Sequence, residues 1–245
     1  MFLVASSILI TASGYLFNDF FDQRADTINK PDKTYIRFWK PSFVWVVFVL
    51  FNSLALGLSF LVSTQLLYMH SGVVLLLILY SVLLKRLPLI GNFVISVLAA
   101  FSVYVVFLVF EIQDRKLVIF YAGFAALITY IREIVKDMED VKGDKKSGYA
   151  TFPVMAGIDQ TRTIVLITTA FVLVCYGNLL YQWIGSQFKM PMQLVVWTYH
   201  SVCVIIPLID FMYLSYQSNS KEDYARLSKL AKYVMATGML SMMFY

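Results

Sequence analysis

Between residues 43 and 110 the chain carries only two charged side chains, Lys85 and Arg86. They separate apolar runs at 66–84 and 92–110, with another at 43–63 before them. A helix of about 20 residues crosses roughly 30 Å of hydrocarbon, and within lipid every backbone polar group must be bonded inside the protein. Runs of this length therefore restrict the chain to membrane-spanning helices. Further runs at 1–17, 117–131, 163–184, 192–216 and 228–245 bring the expected spans to eight. Of the 245 residues 60% are hydrophobic and 14% charged, against about a quarter charged in soluble domains. The fold class expected is an all-α polytopic membrane protein, and without a Gly/Ser/Pro-rich linker residues 1–245 are expected to form a single domain.

Basic residues favour the cytoplasmic side of membrane helices. Arg24, Lys30, Lys33, Arg37 and Lys40 follow the first run, and Lys85 and Arg86 follow the third. Arg132, Lys136, Lys142, Lys145, Lys146 and Arg162 follow the fifth, and Lys221, Arg226, Lys229 and Lys232 follow the seventh. Together these are 17 of the 20 Lys and Arg residues, leaving Arg115, Lys116 and Lys189 opposite. The protein is thus expected to be multi-pass in the cell (inner) membrane, with residue 1 outside and the chain short of one preceding helix. The net charge of +5 gives no argument for nucleic acid, because the basic residues cluster at helix ends. Cys175 and Cys203 lie in different apolar runs and suggest packing, not a disulfide or a metal site.

Two acidic strings sit where apolar runs meet that basic side. Residues 18–26 read N-D-x-x-D-x-x-x-D, and residues 137–144 read D-x-x-D-x-x-x-D. If the first helix continues, Asn18, Asp22 and Asp26 share one face, with Asp19 about 60° away and still within the same site. Asp137, Asp140 and Asp144 likewise share a face, with Glu133 one turn earlier, while Glu139 is expected to meet solvent. Carboxylates brought together at one membrane face repel unless cations lie between them. Oxygen ligands without His or Cys suit a hard cation, and magnesium binds through one or two carboxylates plus phosphate. The expected cofactor is Mg2+, bridging both strings to a diphosphate. Acids that merely terminate membrane helices are the plainer alternative, and two strings of matching spacing on one side argue against it.

Lys85, at the end of a span, is the preferred phosphate ligand; Arg24, Arg86, Arg132, Lys136, Lys142 and Lys145 could also contact phosphate, or simply set topology. Asp210, one turn after Pro207, is a further candidate for the cavity. His200 is expected to make an interhelical hydrogen bond. The 20 Phe, 16 Tyr and 4 Trp residues suit interface belts or a cavity for an isoprenoid chain, where rings would stabilise an allylic cation.

With these residues in place, the chain resembles the UbiA-type intramembrane prenyltransferases. The strings at 18–26 and 137–144 look like that family's two signature motifs, and Tyr80-Ser81, Lys85-Arg86 and Gly91-Asn92 resemble the stretch between them. Arg132 to Asp140, Gly143 to Lys146, and Gly148, Thr151, Phe152 and Pro153 are similar to the geranylgeranylglycerol-phosphate geranylgeranyltransferases, the ether-lipid branch. The resemblance implies a ring of helices around one lipid-accessible cavity and transfer of a prenyl group from its diphosphate. Family members typically have nine spans, with the first motif after the second. The family often has an Arg-Pro-rich stretch after its first motif; here the chain reads Asn29-Lys30-Pro31-Asp32-Lys33.

On this reading Asn18, Asp19, Asp22 and Asp26 hold one metal and Asp137, Asp140 and Asp144 another. Asp22, Asp26, Asp140, Asp144 and Lys85 carry the catalysis, with Tyr80 and Glu133 as supporting candidates. The proton acceptor stays open between Asp210, a motif acid and the diphosphate. The acceptor substrate is expected to be the hydroxyl of geranylgeranylglycerol phosphate, with an aromatic acceptor of quinone biosynthesis as the alternative. A divalent-cation transporter or an inactive, truncated relative are the other readings. Transport sites usually lie near the bilayer midplane, whereas these acids sit at helix ends. Neither nucleic acid nor an obligate protein partner is called for.

Overall fold

The computed structural model describes residues 1–31, 38–110, 114–187 and 189–244, the side chains of 183–187 apart. Lys33, Arg37 and Asp32 of the expected loop lie outside the described residues.

The first helix does continue: α1 spans Phe2–Asn29, carrying its acidic string as two further turns. Pro41, whose missing N–H costs nothing in a first turn, opens α2, Pro41–Val62. A single residue, Ser63, joins α2 to α3, Thr64–Val82, and its hydroxyl accepts from the Leu66 amide at 3.0 Å. A 3-10 turn over Leu84–Arg86 leads to α4, Ile90–Phe110. Asp114 caps α5, Arg115–Ser147, by accepting from the Lys116 and Leu117 amides. Gly148 ends α5 at φ 77°, a left-handed conformation that glycine adopts without cost. The short α6, Phe152–Ala156, precedes α7, Ile158–Gln187.

The seventh span is two helices in line, α8, Met192–His200, and α9, Ile206–Gln217, joined by a π turn over Ser201–Ile205. Pro207 lacks the N–H that the Cys203 carbonyl would accept in a regular helix. The Thr237 hydroxyl fills that place, donating to the Cys203 oxygen at 2.8 Å. Ser220 and Asp223 form a reciprocal capping box at the start of α10, Lys221–Leu240.

Among the described residues seven helices are long and apolar enough to cross a membrane. The eighth expected span, 228–245, corresponds to α10, which begins earlier and carries Lys221, Glu222, Asp223, Arg226, Lys229 and Lys232. Its charged first half keeps it out of that set.

α5 is the hub. Of its most apolar stretch 56% is buried inside the protein, against 17–33% for the other six spans. It packs against α1, α4, α7 and α10. Phe124, Ile128, Ile131 and Val135 join Val172, Leu208, Phe211 and Val234 in the largest apolar cluster. Around it, exposed Leu50, Phe60, Leu75, Phe93 and Phe171 face outward, as lipid-facing surface does. Interhelical polar pairs stitch the spans. The Tyr176 hydroxyl and His200 Nδ1 lie 2.6 Å apart, as expected of His200, and Ser59 meets His70 Nδ1 at 2.7 Å.

Without a hydrophobic drive between helices in lipid, small residues permit close approach. A Cβ on Gly238 of α10 would stand 2.2 Å from the Phe124 ring of α5. Gly238→Val should therefore destabilise by about 1–3 kcal/mol, read as an earlier thermal transition of the detergent-purified protein, while Gly177→Ala, with open space at its Cβ, should leave the transition in place.

Candidate active site

The two strings meet. Asn18, Asp22 and Asp26 repeat every four residues and so project from one side of α1; Asp137, Asp140 and Asp144, spaced three and then four apart, share one side of α5. Both sets line one polar cavity of about 260 Å³, together with Asp19 and Glu133. Tyr80 from the end of α3, Lys85 from the 3-10 turn and Lys136 from α5 complete the wall that sequence reasoning had assembled. Ala25, Asn29, Lys30, Tyr149 and Thr151 also line it.

What brings the strings together is a bracket at the helix ends. The Asn29 side chain donates to the Asp140 carbonyl at 3.0 Å and accepts from the Gly143 amide at 2.9 Å. A Cβ on Gly143 would lie 2.4 Å from Asn29 Nδ2, so only glycine admits the amide there. The Lys221 ammonium donates to the Asn29 carbonyl, capping the end of α1 from α10.

Four of the string acids, Asp22, Asp137, Asp140 and Asp144, have side-chain partners in the protein. Asp22 Oδ1 pairs with Lys85 Nζ at 2.7 Å and accepts from the Tyr149 hydroxyl at 3.0 Å, while Oδ2 accepts from Asn18 Nδ2 at 2.9 Å. Lys85 also donates to Asn18 Oδ1 at 3.1 Å. Asp137 accepts from Asn92 of α4 at 2.7 Å, and Asp144 from Thr151 at 3.3 Å. Asp140 Oδ2 pairs with Lys30 at 3.0 Å, yet its Oδ1 is buried with no hydrogen-bond partner among the described residues. The Lys85 side chain is only 6% exposed. Burial pulls its ammonium below the usual lysine range, and the Asp22 carboxylate works against that pull. The Tyr149 phenol is pushed up, first by burial and then by the charge of Asp22. Gly91 matters to this arrangement, since a Cβ there would lie 2.7 Å from Lys85 Cα.

Six expected residues lie elsewhere, among them Lys142, which is exposed and lines a second cavity. Arg24 follows Asp22 by two positions, about 200° around a helix, and is exposed; Lys145 adjoins Asp144, about 100° around, and is exposed as well. Arg132 pairs with Glu133. Arg86 stacks over the Tyr149 ring, 5.2 Å from its centroid. Asp210 is exposed on α9 and does not line the cavity. Glu139, expected to meet solvent, is half-buried and lines a separate cavity of about 610 Å³ between α5, α7 and the start of α10.

The cavity holds seven carboxylates against three lysines. Among the described residues no three acid, His or Cys groups converge to hold a metal by themselves. That donor set fits magnesium, which takes one or two carboxylates at a time and completes its shell with water and phosphate. The unpartnered Asp140 oxygen is an available ligand of the right kind.

The profile of the UbiA prenyltransferase family matches residues 1–233. The chain belongs to that family. This prenyltransferase is 29% identical over 242 residues to the digeranylgeranylglyceryl phosphate synthase of Methanosphaera stadtmanae, covering 95% of its own length and 82% of the relative's. A solved structure concerned with digeranylgeranylglyceryl phosphate synthase in membranes superposes with a TM-score of 0.69 at 25% identity, over 98% of this chain and 82% of that one. A UbiA homologue from Archaeoglobus fulgidus, solved with GPP and Mg2+, gives 0.69 at 13% identity over 98% and 86% of the two chains. The all-α, multi-pass architecture of this prenyltransferase is thus the one its relatives share, and it is an integral membrane protein.

Asn29→Ala in this prenyltransferase would remove two buried hydrogen bonds between α1 and α5, costing about 1–3 kcal/mol. A downward shift of the thermal transition in detergent is the expected result. Gly143→Ala should produce a similar shift, and the double variant little more than either, because both break the same bracket.

Proposed function

We propose that residues 1–245 act as one catalytic unit that transfers a prenyl group from its diphosphate to the hydroxyl of geranylgeranylglycerol phosphate. The observation that carries this reading is the pair of acidic strings facing each other across one cavity, with four more carboxylates than lysines. Bound cations relieve such an excess, and a diphosphate held through magnesium supplies phosphate oxygens that complete the metal's shell. The relatives named as digeranylgeranylglyceryl phosphate synthases support the geranylgeranyl donor and the ether-lipid acceptor. The solved homologue holding GPP and Mg2+ supports the donor class and the metal. The excess of basic residues at the ends that carry the strings supports a site at the cytoplasmic face of the cell membrane.

Asn18, Asp22 and Asp26 would hold magnesium from α1, and Asp137, Asp140 and Asp144 from α5. When bound, the metal supplies positive charge where the departing diphosphate gains negative charge. Lys85, already poised at the cavity wall, adds a fixed ammonium to the same end. The bond from the allylic C1 to the diphosphate oxygen breaks, and the acceptor oxygen forms a new bond to C1. The acceptor's proton passes to a base. With Asp210 exposed and outside the cavity lining, that base is a cavity carboxylate or the departing diphosphate. The surrounding helices exclude water, so the allylic group is not lost to hydrolysis. This reading needs no protein partner and no nucleic acid.

Two results are expected. Asp22→Ala and Asp140→Ala should each abolish transfer while membrane insertion is preserved; turnover retained in both would sink the two-string arrangement. The purified protein, given magnesium and radiolabelled geranylgeranyl diphosphate, should label geranylgeranylglycerol phosphate and not 4-hydroxybenzoate. Label in the aromatic acceptor alone would move the protein to quinone chemistry.

A further inference from the structure

Tyr149 follows the glycine that ends α5, outside both acidic strings. Two links bind its segment to the 3-10 turn that bears Lys85. The Arg86 guanidinium lies over its ring at 5.2 Å from the centroid, and the Ala150 amide donates to the Arg86 carbonyl at 2.9 Å. At the other end of the ring the hydroxyl donates to Asp22 Oδ1 at 3.0 Å, with the Phe21 carbonyl at 3.4 Å. Tyr149 therefore spans from a cation outside the cavity to a carboxylate inside it.

Asp22 Oδ1 serves two donors at once, Lys85 at 2.7 Å and Tyr149 at 3.0 Å. A cation that draws on Asp22 competes with both for the same lone pairs. Lys85 is buried and charged, and stripping its counter-ion is the costlier change. Tyr149 is neutral, so its hydrogen bond is the one given up. Its hydroxyl then faces a cavity in which the new acceptors are phosphate oxygens. Arg86 contributes through the ring face, where a cation is attracted and holds the phenol in place. Its Nε is buried without a hydrogen-bond partner among the described residues, so the guanidinium is only partly used by its own surroundings.

The geometry points to Tyr149 as a substrate-contacting residue: its hydroxyl passes from Asp22 to a non-bridging oxygen of the prenyl diphosphate, and Arg86 positions it by stacking. This rests on the diphosphate reading of the cavity and adds to it a donor that neither acidic string contains. It also gives Arg86 a role through Tyr149 in place of the direct phosphate contact expected from its position in the chain.

The test compares wild type, Tyr149→Phe, Arg86→Gln and the double variant. Each is titrated with inorganic pyrophosphate in the presence of magnesium by calorimetry, with thermal unfolding recorded alongside. A hydrogen bond to a charged group is worth enough for about a 10-fold change in affinity. Tyr149→Phe should weaken pyrophosphate binding by up to about that factor and raise KM for the prenyl diphosphate in proportion, with kcat changed less and the unfolding temperature lowered by no more than the lost bond to Asp22 accounts for. Arg86→Gln should give a smaller loss that disappears in the Tyr149→Phe background. Wild-type affinity in Tyr149→Phe would overturn the proposal, and losses that add in full in the double variant would overturn the part given to Arg86. A wild-type protein that binds no pyrophosphate would instead overturn the diphosphate reading on which the proposal stands.

Discussion

Seven carboxylates in a cavity of about 260 Å³ form an arrangement that electrostatics resists. Much of the surrounding structure acts to hold it. The Asn29 bracket fixes the ends of α1 and α5 side by side, and Gly143 leaves the space that the Asn29 side chain occupies. Three lysines enter from three different elements, the segment after α1, the 3-10 turn and α5 itself. Asn92 and Thr151 hold two of the α5 acids with neutral donors. Like charges are thus kept within reach of one ligand by hydrogen bonds that do not neutralise them.

The apolar packing serves the same end. α5 is buried from Val118 to Met138 by clusters that include α4, α7, α9 and α10, so its acidic last turns project from a helix that cannot shift alone. α1 is braced by α2, where Phe17 stacks on Phe48 with centroids 4.3 Å apart and meets Trp45 edge-on at 5.1 Å. Rigid stems under both strings are what a metal-and-phosphate site needs, since its donors must meet at fixed distances.

Most of the cavity could be read in the chain, because helical periodicity converts spacing into direction once α1 and α5 are known to continue past their apolar stretches. The same periodicity, applied strictly, would have removed Arg24 and Lys145, which sit on the wrong side of their helices. Asn29, Lys30, Tyr149 and Asn92 escaped notice as site residues for a different reason. Their positions follow from how one helix end approaches another element, which no local pattern records. Asn29 had one available signal, its place three residues beyond Asp26 and so on the same face. The eighth span was misjudged at its boundary because α10 is anchored by a capping box within a charged segment, and charge there masks the helix start from a search for apolar runs.

The single-residue link at Ser63 has a consequence for how this protein is made. α2 and α3 share one turn residue, and no charge occurs from Phe43 to Leu84 to hold either helix in a set direction. So short a link favours insertion of the two as a hairpin, and both of its open ends carry basic residues of the kind that bias orientation, Lys40 on one side and Lys85 with Arg86 on the other. The lysine that lines the cavity thus also belongs to the basic set that biases how such a hairpin is oriented.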